Sequence, residues 1–173
     1  MITRRTTIGI GAVAVFVLLV LLWSQFRPEL LFINAAVNEP APVAMSDAMA
    51  KPTAAAMSDA MAKPTAAAMF TSLAHETSGT ASITSLDDGS HVLRLEDFKT
   101  SNGPDVHVYL VRGTDATKDD AIVAGKFIDL GSIKGNIGNQ NYVIPAGTDL
   151  SQYQAVSIWC QRFGINFGGT KLN

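Results

Sequence analysis

From Phe70 onward the chain consists of short stretches in which apolar and polar residues alternate with a period of two. The clearest stretch is 91–98, where Leu93 and Leu95 would lie on one face of a strand and charged residues on the other. Glycine, proline and asparagine separate the stretches at short intervals, as turns between strands do. No amphipathic helical window of useful length follows Phe70. The pattern therefore predicts an all-β fold.

The predicted strands are bounded by turn residues and are all short. They cover residues 80–86, 91–98, 106–112, 126–130, 141–144, 155–161 and 166–172. About seven to eight such strands form an antiparallel β-sandwich or a small barrel. A chain of roughly 100 residues in this form can bury a single core without disulfides. We expect one β domain over residues 70–173.

Cys160 is the only cysteine in the chain. In the predicted strand 155–161, Val156 and Ile158 share a face with Cys160. Trp159 lies on the opposite face, so Cys160 should point into the core or to its rim. A thiol in this position can be a small core residue, a redox group or a cofactor ligand. The pattern alone leaves these three interpretations open.

A cofactor held by Cys160 would benefit from a second ligand. His91 is the best candidate, because it shares a strand face with Leu93 and could also point inward. His107 and His75 are less well placed. A closed four-ligand zinc site would need carboxylates as well, because the chain has three histidines and one cysteine. No sequence pattern of a hydrolase stands out, and whether the chain is an enzyme is left open.

Residues 135–141 are rich in glycine and side-chain amides. Such a segment could cradle a glycan or an anion with its exposed donors. The alternative interpretation is a tight loop whose amides bond their own backbone.

An apolar run without charges extends from Ile8 to Trp23, with Arg4 and Arg5 before it. Extended to Phe26, it would give about 30 Å of helix, enough to cross a bilayer. The arginines predict a cytoplasmic stub at 1–7, a transmembrane anchor at 8–26 and an extracytoplasmic remainder. A cleaved signal peptide is the alternative, and the sequence leaves it open.

Residues 27–69 are predicted to be a flexible linker. They contain a twelve-residue segment, 45–56, that is repeated without change at 57–68. Alanine in the repeat favours helix, but Pro52 and Pro64 interrupt it. The methionines of the repeat offer thioethers, which are soft ligands suited to copper(I), and copper binding there is left open.

Four stretches of the β region resemble, in order, the DM-thirteen domain family, also called the electron-transfer DM domain. They read LRLEDF at 93–98, NGPDVHVYL at 102–110, LGSIKGNIGNQNYVIP at 130–145 and YQAVSIWCQRF at 153–163. The closing Phe167, Gly168, Gly169 and Leu172 also fit. The resemblance covers about residues 70–173 and implies an extracytoplasmic β domain acting in electron transfer or oxidative modification at the cell surface.

The resemblance also implies a role for Cys160, which corresponds to the cysteine of the family. That cysteine is thought to act as a bare thiol or as a ligand to a group such as haem. Trp159 and Phe163 would then be its aromatic surroundings, and His91 a further cofactor ligand. We expect the electron partner to be a separate electron-transfer or cell-surface protein. Nucleic acid is not expected, because the net charge is −2 and no long basic run exists.

The leading functional prediction is a membrane-anchored extracytoplasmic redox or electron-transfer module that uses Cys160. The alternative is a non-redox binding or adhesion module in which Cys160 is buried and structural. In that case the amide-rich segment or an exposed sheet face would meet the partner.

Overall fold

The computed structural model describes residues 13–21, 23, 33–42 and 65–172. Residues 13–21 and 23 are helical. Within the described residues, no helix has both the length and the apolar character needed to cross a membrane. Parts of the predicted anchor at 8–26, and residues 43–64 with most of the repeat, lie outside the described residues. The anchor and the linker therefore stay predictions.

The described part of the chain contains ten strands and one short helix in its β region. They are β1 (Ala36–Asn38), β2 (Ala68–Met69), β3 (Thr71–Ser72), β4 (Ser78–Ser85), β5 (His91–Lys99), β6 (Val106–Val111), α1 (Asp120–Val123), β7 (Phe127–Ser132), β8 (Ile137–Ile144), β9 (Ala155–Cys160) and β10 (Ile165–Lys171). The seven predicted strands correspond to β4 through β10 and are confirmed, with shifts of a few residues at their ends.

The strands form two five-stranded sheets. One sheet has the order β1-β8-β5-β4-β2, and the other has the order β3-β10-β9-β6-β7. All pairings are antiparallel except that of β1 with β8, which is parallel. We call them sheet A and sheet B. Together they confirm the predicted all-β sandwich.

The core lies between the two sheets, and alternate residues of the central strands fill it. Leu93, Leu95 and Phe98 enter it from sheet A, and Val108 and Ile158 enter from sheet B. Leu93 and Leu95 follow the predicted period-two alternation, because successive side chains of a strand point to opposite faces. Phe98 enters three positions after Leu95, because the register of β5 against β8 shifts between these two residues.

A second, smaller apolar cluster covers the outer face of sheet B. Tyr109 and Trp159 lie in it together with Ile122 of α1 and Ala116 from the segment that precedes α1. All six residues of β9 are consequently buried. The strand is enclosed on both faces, so its apolar residues are nearly continuous, as expected for a strand covered on both sides.

Several features of the two sheets differ from the sequence prediction. Strand β8 begins at Ile137, so the interpretation of residues 135–141 as a loop is wrong for most of that segment. Gly138 has φ of +106° within the strand, a conformation that the sequence patterns of strands do not predict. Strands β1, β2 and β3 were not predicted, and β1 and β2 lie within the region 27–69 that was predicted to be linker.

The pairing of β4 with β5 contains a bulge at one end of sheet A, where the register shifts between Ser78 and Thr80. Gly79, at the bulge, has φ of +99°. A Cβ atom added there would lie 2.6 Å from the carbonyl oxygen of Glu96 and 2.7 Å from the Cα of Phe98. The two backbones can approach this closely only with glycine at the position.

We predict that Gly79→Ala destabilises the domain much more than Gly89→Ala. Gly89 also has positive φ, at +79°, but an added Cβ would meet nothing within 4 Å. Gly89→Ala should therefore cost about 1 kcal/mol from backbone conformation alone. Gly79→Ala should cost roughly 1–3 kcal/mol in addition, because the bulge must open.

Chemical unfolding of the two variants beside the parent chain measures this difference. Equal midpoints for the two variants would contradict the close packing of β4 against β5 at Gly79.

Candidate functional site

Cys160 is the last residue of β9 and lies inside the core. Its backbone pairs with Val106 on one side and Ile165 on the other. The residue is 0% exposed, belongs to the main apolar cluster and forms no disulfide. The prediction that Cys160 faces the core is confirmed. Thiol reagents and disulfide partners need access to the sulfur, and the folded domain does not give it.

Trp159 lies on the opposite face of β9, as predicted, and joins a group of aromatic rings there. The Tyr109 ring stacks on Phe127 with centroids 4.1 Å apart and lies 6.4 Å from the Trp159 ring. Tyr109 and Trp159 are both buried. We call Phe127, Tyr109 and Trp159 the aromatic row. It is separated from the Cys160 side chain by one peptide unit of β9.

Phe163 lies in the tight turn 161–164 that joins β9 to β10, where the Gly164 amide donates to the carbonyl oxygen of Cys160 over 2.9 Å. The Phe163 side chain is 60% exposed, so it does not form a wall around the thiol. Ile165, two residues farther on, is also exposed. The turn thus presents an apolar tip to solvent directly beyond the cysteine.

The structure does not bring His91 and Cys160 together. His91 begins β5, and its Nδ1 lies 3.0 Å from the hydroxyl of Ser85. The far end of β5, Lys99, is eight residues away, or about 26 Å along the strand. That far end leads through 100–105 to Val106, which pairs with Cys160. The histidine and the cysteine therefore lie at opposite ends of the sandwich.

A haem bound by Cys160 and His91 does not fit this arrangement. The thiol lies in close-packed hydrocarbon, and the histidine is at the other end of the molecule. Two surface cavities are lined by neither residue; one lies near Met69 and Asp115, the other near Tyr153 and Leu172. Among the described residues, no group of three or more metal-ligating side chains is assembled.

A polar cluster that the sequence did not predict lies beside the aromatic row. The Nδ1 of His107 lies 2.9 Å from Oδ2 of Asp129, and Nε2 lies 3.3 Å from Oδ1 of Asp105. The side-chain amide of Gln161 donates to Asp129 over 2.8 Å. Register explains the cluster, because His107 pairs with Trp159 on one side and Ser132 on the other. The pairing register between these strands cannot be predicted from a single sequence.

Tyr109 connects the aromatic row with this polar cluster. Burial raises the pKa of the Tyr109 phenol, a hydrogen bond with Gln161 opposes the shift, and the carboxylates of Asp129 and Asp105 add to it. The phenol therefore stays protonated well into alkaline solution. A neutral, hydrogen-bonded phenol next to a buried indole is a compact pair of oxidisable side chains.

The amide-rich segment contacts the chain's own N-terminal segment. The side-chain oxygen of Asn136 accepts from the amide of Ala35 over 2.8 Å, and Asn139 donates to Asn38 over 2.7 Å. The predicted exposed donors are thus used within the molecule. Neither a glycan site nor an anion site is needed to account for them.

The comparisons with known proteins agree with the sequence resemblance. The family described as Electron transfer DM13 matches residues 69–172, which is well over half of the chain. No curated protein and no solved structure gives a match. The match covers both sheets from β3 to β10 and includes Cys160, Trp159 and Phe163. The chain therefore belongs to the Electron transfer DM13 family, and its β domain is an electron-transfer module in the general sense of that family.

Proposed function

We propose that the chain is a membrane-anchored, extracytoplasmic electron-transfer module in which Cys160 is the redox group. The observation that carries the proposal is the position of Cys160 at the end of β9, between the aromatic row and the exposed turn 161–164. Electrons would pass between Cys160 and separate one-electron redox proteins. Trp159 and Tyr109 would extend the path on the outer face of sheet B.

The burial of Cys160 favours electron transfer over thiol exchange. Disulfide exchange requires contact between a thiolate and another sulfur. Transfer of an electron between closely packed groups requires neither a bond nor solvent access. A fully buried sulfur next to a surface turn can therefore exchange electrons with a docked partner while it is protected from disulfide formation and stepwise oxidation.

The proposed reaction cycle uses one electron acceptor and one electron donor. The thiol of Cys160 gives one electron to an oxidised one-electron carrier and one proton to a water molecule, which leaves a thiyl radical. Because the sulfur is fully buried, this water would enter through a local opening beside the turn 161–164 that is too small for a disulfide reagent. A reduced one-electron carrier then returns the electron, and water returns the proton. Residues 161–165 are exposed, so both the partner and water reach the turn.

Phe163 is the proposed contact point for the partner. Its ring is exposed at the tip of the turn, and exposed aromatic residues often contribute strongly to protein interfaces.

The proposed membrane anchor is supported by the apolar run from Ile8 to Trp23 and by Arg4 and Arg5 before it. These features give the module its extracytoplasmic position.

A second function is favoured by the same burial. If Cys160 serves only as a small core residue, the domain would be a non-redox binding module. An exposed sheet face would then be its binding surface, because the amide-rich segment is already bonded to residues 35–38. The two functions differ in how the native thiol responds to an electron acceptor.

We predict that a one-electron oxidant consumes native Cys160 faster than a thiol reagent labels it. Hexachloroiridate(IV) accepts an electron without bonding to sulfur, whereas a disulfide reagent must touch the sulfur. The free thiol is counted after unfolding in each reaction. Labelling by the disulfide reagent should follow only the rare opening of the core.

Cys160→Ala and Val156→Ala form the matched pair for this experiment. Both remove a fully buried side chain from the same face of β9, at roughly 1–3 kcal/mol each. Val156→Ala should consume as much oxidant as the parent chain. Cys160→Ala should lose the part of the oxidant consumption that is due to the thiol. A native thiol that resists both reagents until unfolding would overturn the redox role and favour the binding module.

We also predict that the full chain, extracted from membranes of its expression host, shows no Soret band that depends on Cys160. The reason is the close packing around the sulfur and its distance from His91. An absorption spectrum of the parent chain beside Cys160→Ser measures this. A Soret band that the substitution removes would contradict the packing argument.

A further inference from the structure

Strand β1 docks on the edge of sheet A as a short parallel strand. Its residues pair in register with β8: Ala36 with Ile137, Val37 with Gly138, and Asn38 with Asn139. The amide of Glu39 continues the ladder by donating to the carbonyl oxygen of Asn139 over 2.9 Å. The edge of β8 would otherwise expose unpaired backbone groups, so the segment also covers a sheet edge.

Two glycines make room for the docked segment. At Gly138, an added Cβ would overlap the carbonyl oxygen of Val37. At Gly135, it would overlap the carbonyl oxygen of Ala35 and lie 2.9 Å from a methyl group of Val37. The shape of this edge is therefore fitted to the backbone of residues 35–37.

Polar side chains hold both ends of the segment. At its start, Asn136 accepts from the amide of Ala35 and donates to the side-chain oxygen of Asn34 over 2.9 Å. Asn136 is buried, and the hydrogen bonds to the segment satisfy its amide group. Asn102 also donates to Asn34, over 3.3 Å.

At the end of the segment, Lys134 donates to the two carboxylate oxygens of Glu39 over 2.7 and 2.9 Å. This hydrogen bond, with smaller help from the amide of Asn141 and the charge of Arg94, lowers the pKa of Glu39 against a partial opposing effect of burial. The stabilisation is therefore present above the ordinary carboxyl pKa and is lost as pH falls through the lowered value.

Arg94 completes the contact by donating to the carbonyl oxygen of Pro40 over 3.0 Å. The side chain is buried on the outer face of sheet A, where Glu96 and Asn141 are its other partners. A buried guanidinium needs such acceptors, so the docked segment satisfies part of its hydrogen-bonding capacity.

The docked segment enters at the end of the sandwich that holds Cys160. Ile137, where β1 begins its pairing, also pairs with Lys99 at the end of β5. Residues 100–105 lead from there to Val106, the partner of Cys160. The chain that arrives from the N-terminal side, Cys160 and the turn with Phe163 all lie at this one end.

We propose that residues 34–40 are an orienting strap, which holds the Cys160 end of the domain toward the membrane and presents Phe163 to a redox protein in the same bilayer. The proposal rests on the membrane anchor of the proposed function. Between the predicted end of the anchor at Phe26 and Asn34 lie the seven residues 27–33. They reach at most about 24 Å when fully extended.

That reach is shorter than the domain is long. Strand β5 has nine residues and spans about 30 Å. A stem of seven residues attached at one end of the sandwich therefore keeps that end nearest the bilayer. Val143, near the opposite end of sheet A, would lie about 20 Å farther from the attachment point.

The strap also changes the role of the duplicated repeat. Strand β1 lies at one edge of sheet A and β2 at the other, so residues 43–64 connect two fixed points of the same sheet. Four strand spacings separate these edges by about 19 Å. The repeat thus closes a loop on the domain, and its length does not set the distance between the domain and the membrane.

Energy transfer to a vesicle surface tests the strap. The full chain carrying Cys160→Ala is reconstituted in phosphatidylcholine–phosphatidylglycerol vesicles with an acceptor dye on the outer headgroups. A membrane-impermeant maleimide donor is attached at Phe163→Cys or at Val143→Cys, both exposed positions. Transfer from position 163 should be about twofold higher than from position 143, given the separation of about 20 Å. Equal or reversed transfer would overturn the strap.

Gly138→Ala and Gly131→Ala are the matched variants. Their φ values are +106° and +108°, so the backbone strain is alike, but an added Cβ at Gly131 meets nothing within 4 Å. Gly138→Ala should remove the difference between the two labelled positions, and Gly131→Ala should keep it. Loss of the difference in both variants, or in neither, would contradict docking as its cause.

Insertions distinguish the effect of the stem, residues 27–33, from the effect of the loop that contains residues 43–64. A third copy of the twelve residues placed between Ala56 and Met57 should leave the transfer unchanged. The same twelve residues placed between Glu29 and Leu30 should reduce the difference. The opposite pattern would show that the repeat is the tether. A chain that fails to float with the vesicles would overturn the anchor instead, so the two failures are distinguishable.

Discussion

The enclosure of β9 on both faces is the constraint on which the rest of the structure depends. The strand lies between β10 and β6 in sheet B, and all six of its residues are buried. Its inner face meets the main core, and its outer face meets Tyr109 and the segment around α1. Because both faces are covered, Cys160 is fixed in hydrocarbon and Trp159 is fixed in the aromatic row. The proposed electron path is a consequence of this enclosure.

Sheet A depends in a comparable way on a segment that lies outside the family match. Its edge strand β8 has a left-handed glycine and an amide-rich face, and Arg94 is buried on the neighbouring strand β5. Residues 34–40 supply the missing carbonyl groups and the carboxylate of Glu39. The domain and the chain that leads to it are therefore one structural unit, and the family boundary at residue 69 does not coincide with the structural boundary.

The sequence predicted much of the fold, because period-two alternation directly reports a half-buried strand. It placed β5 and β6 well, and it assigned Cys160 and Trp159 to opposite faces of β9 correctly. It missed β1, which is three residues long and is held by contacts with residues about a hundred positions away. It also missed the start of β8, since Gly138 adopts a positive φ that no propensity rule expects inside a strand.

Site residues were harder to predict than strands, because they depend on the order of strands in each sheet. His91 has a favourable face in β5, yet the topology places it at the end of the sandwich away from Cys160. His107 has an unremarkable position in β6, yet register brings it to Asp129 and Gln161. Pattern reasoning gives faces along a strand, whereas ligand sets require pairing between strands.

Electron transfer by Cys160 is tested most directly by coulometric titration of the intact chain with soluble one-electron mediators. The account predicts a one-electron wave in the parent chain that is absent from Cys160→Ala and retained in Val156→Ala. A wave of the same charge and midpoint in Cys160→Ala would contradict the account.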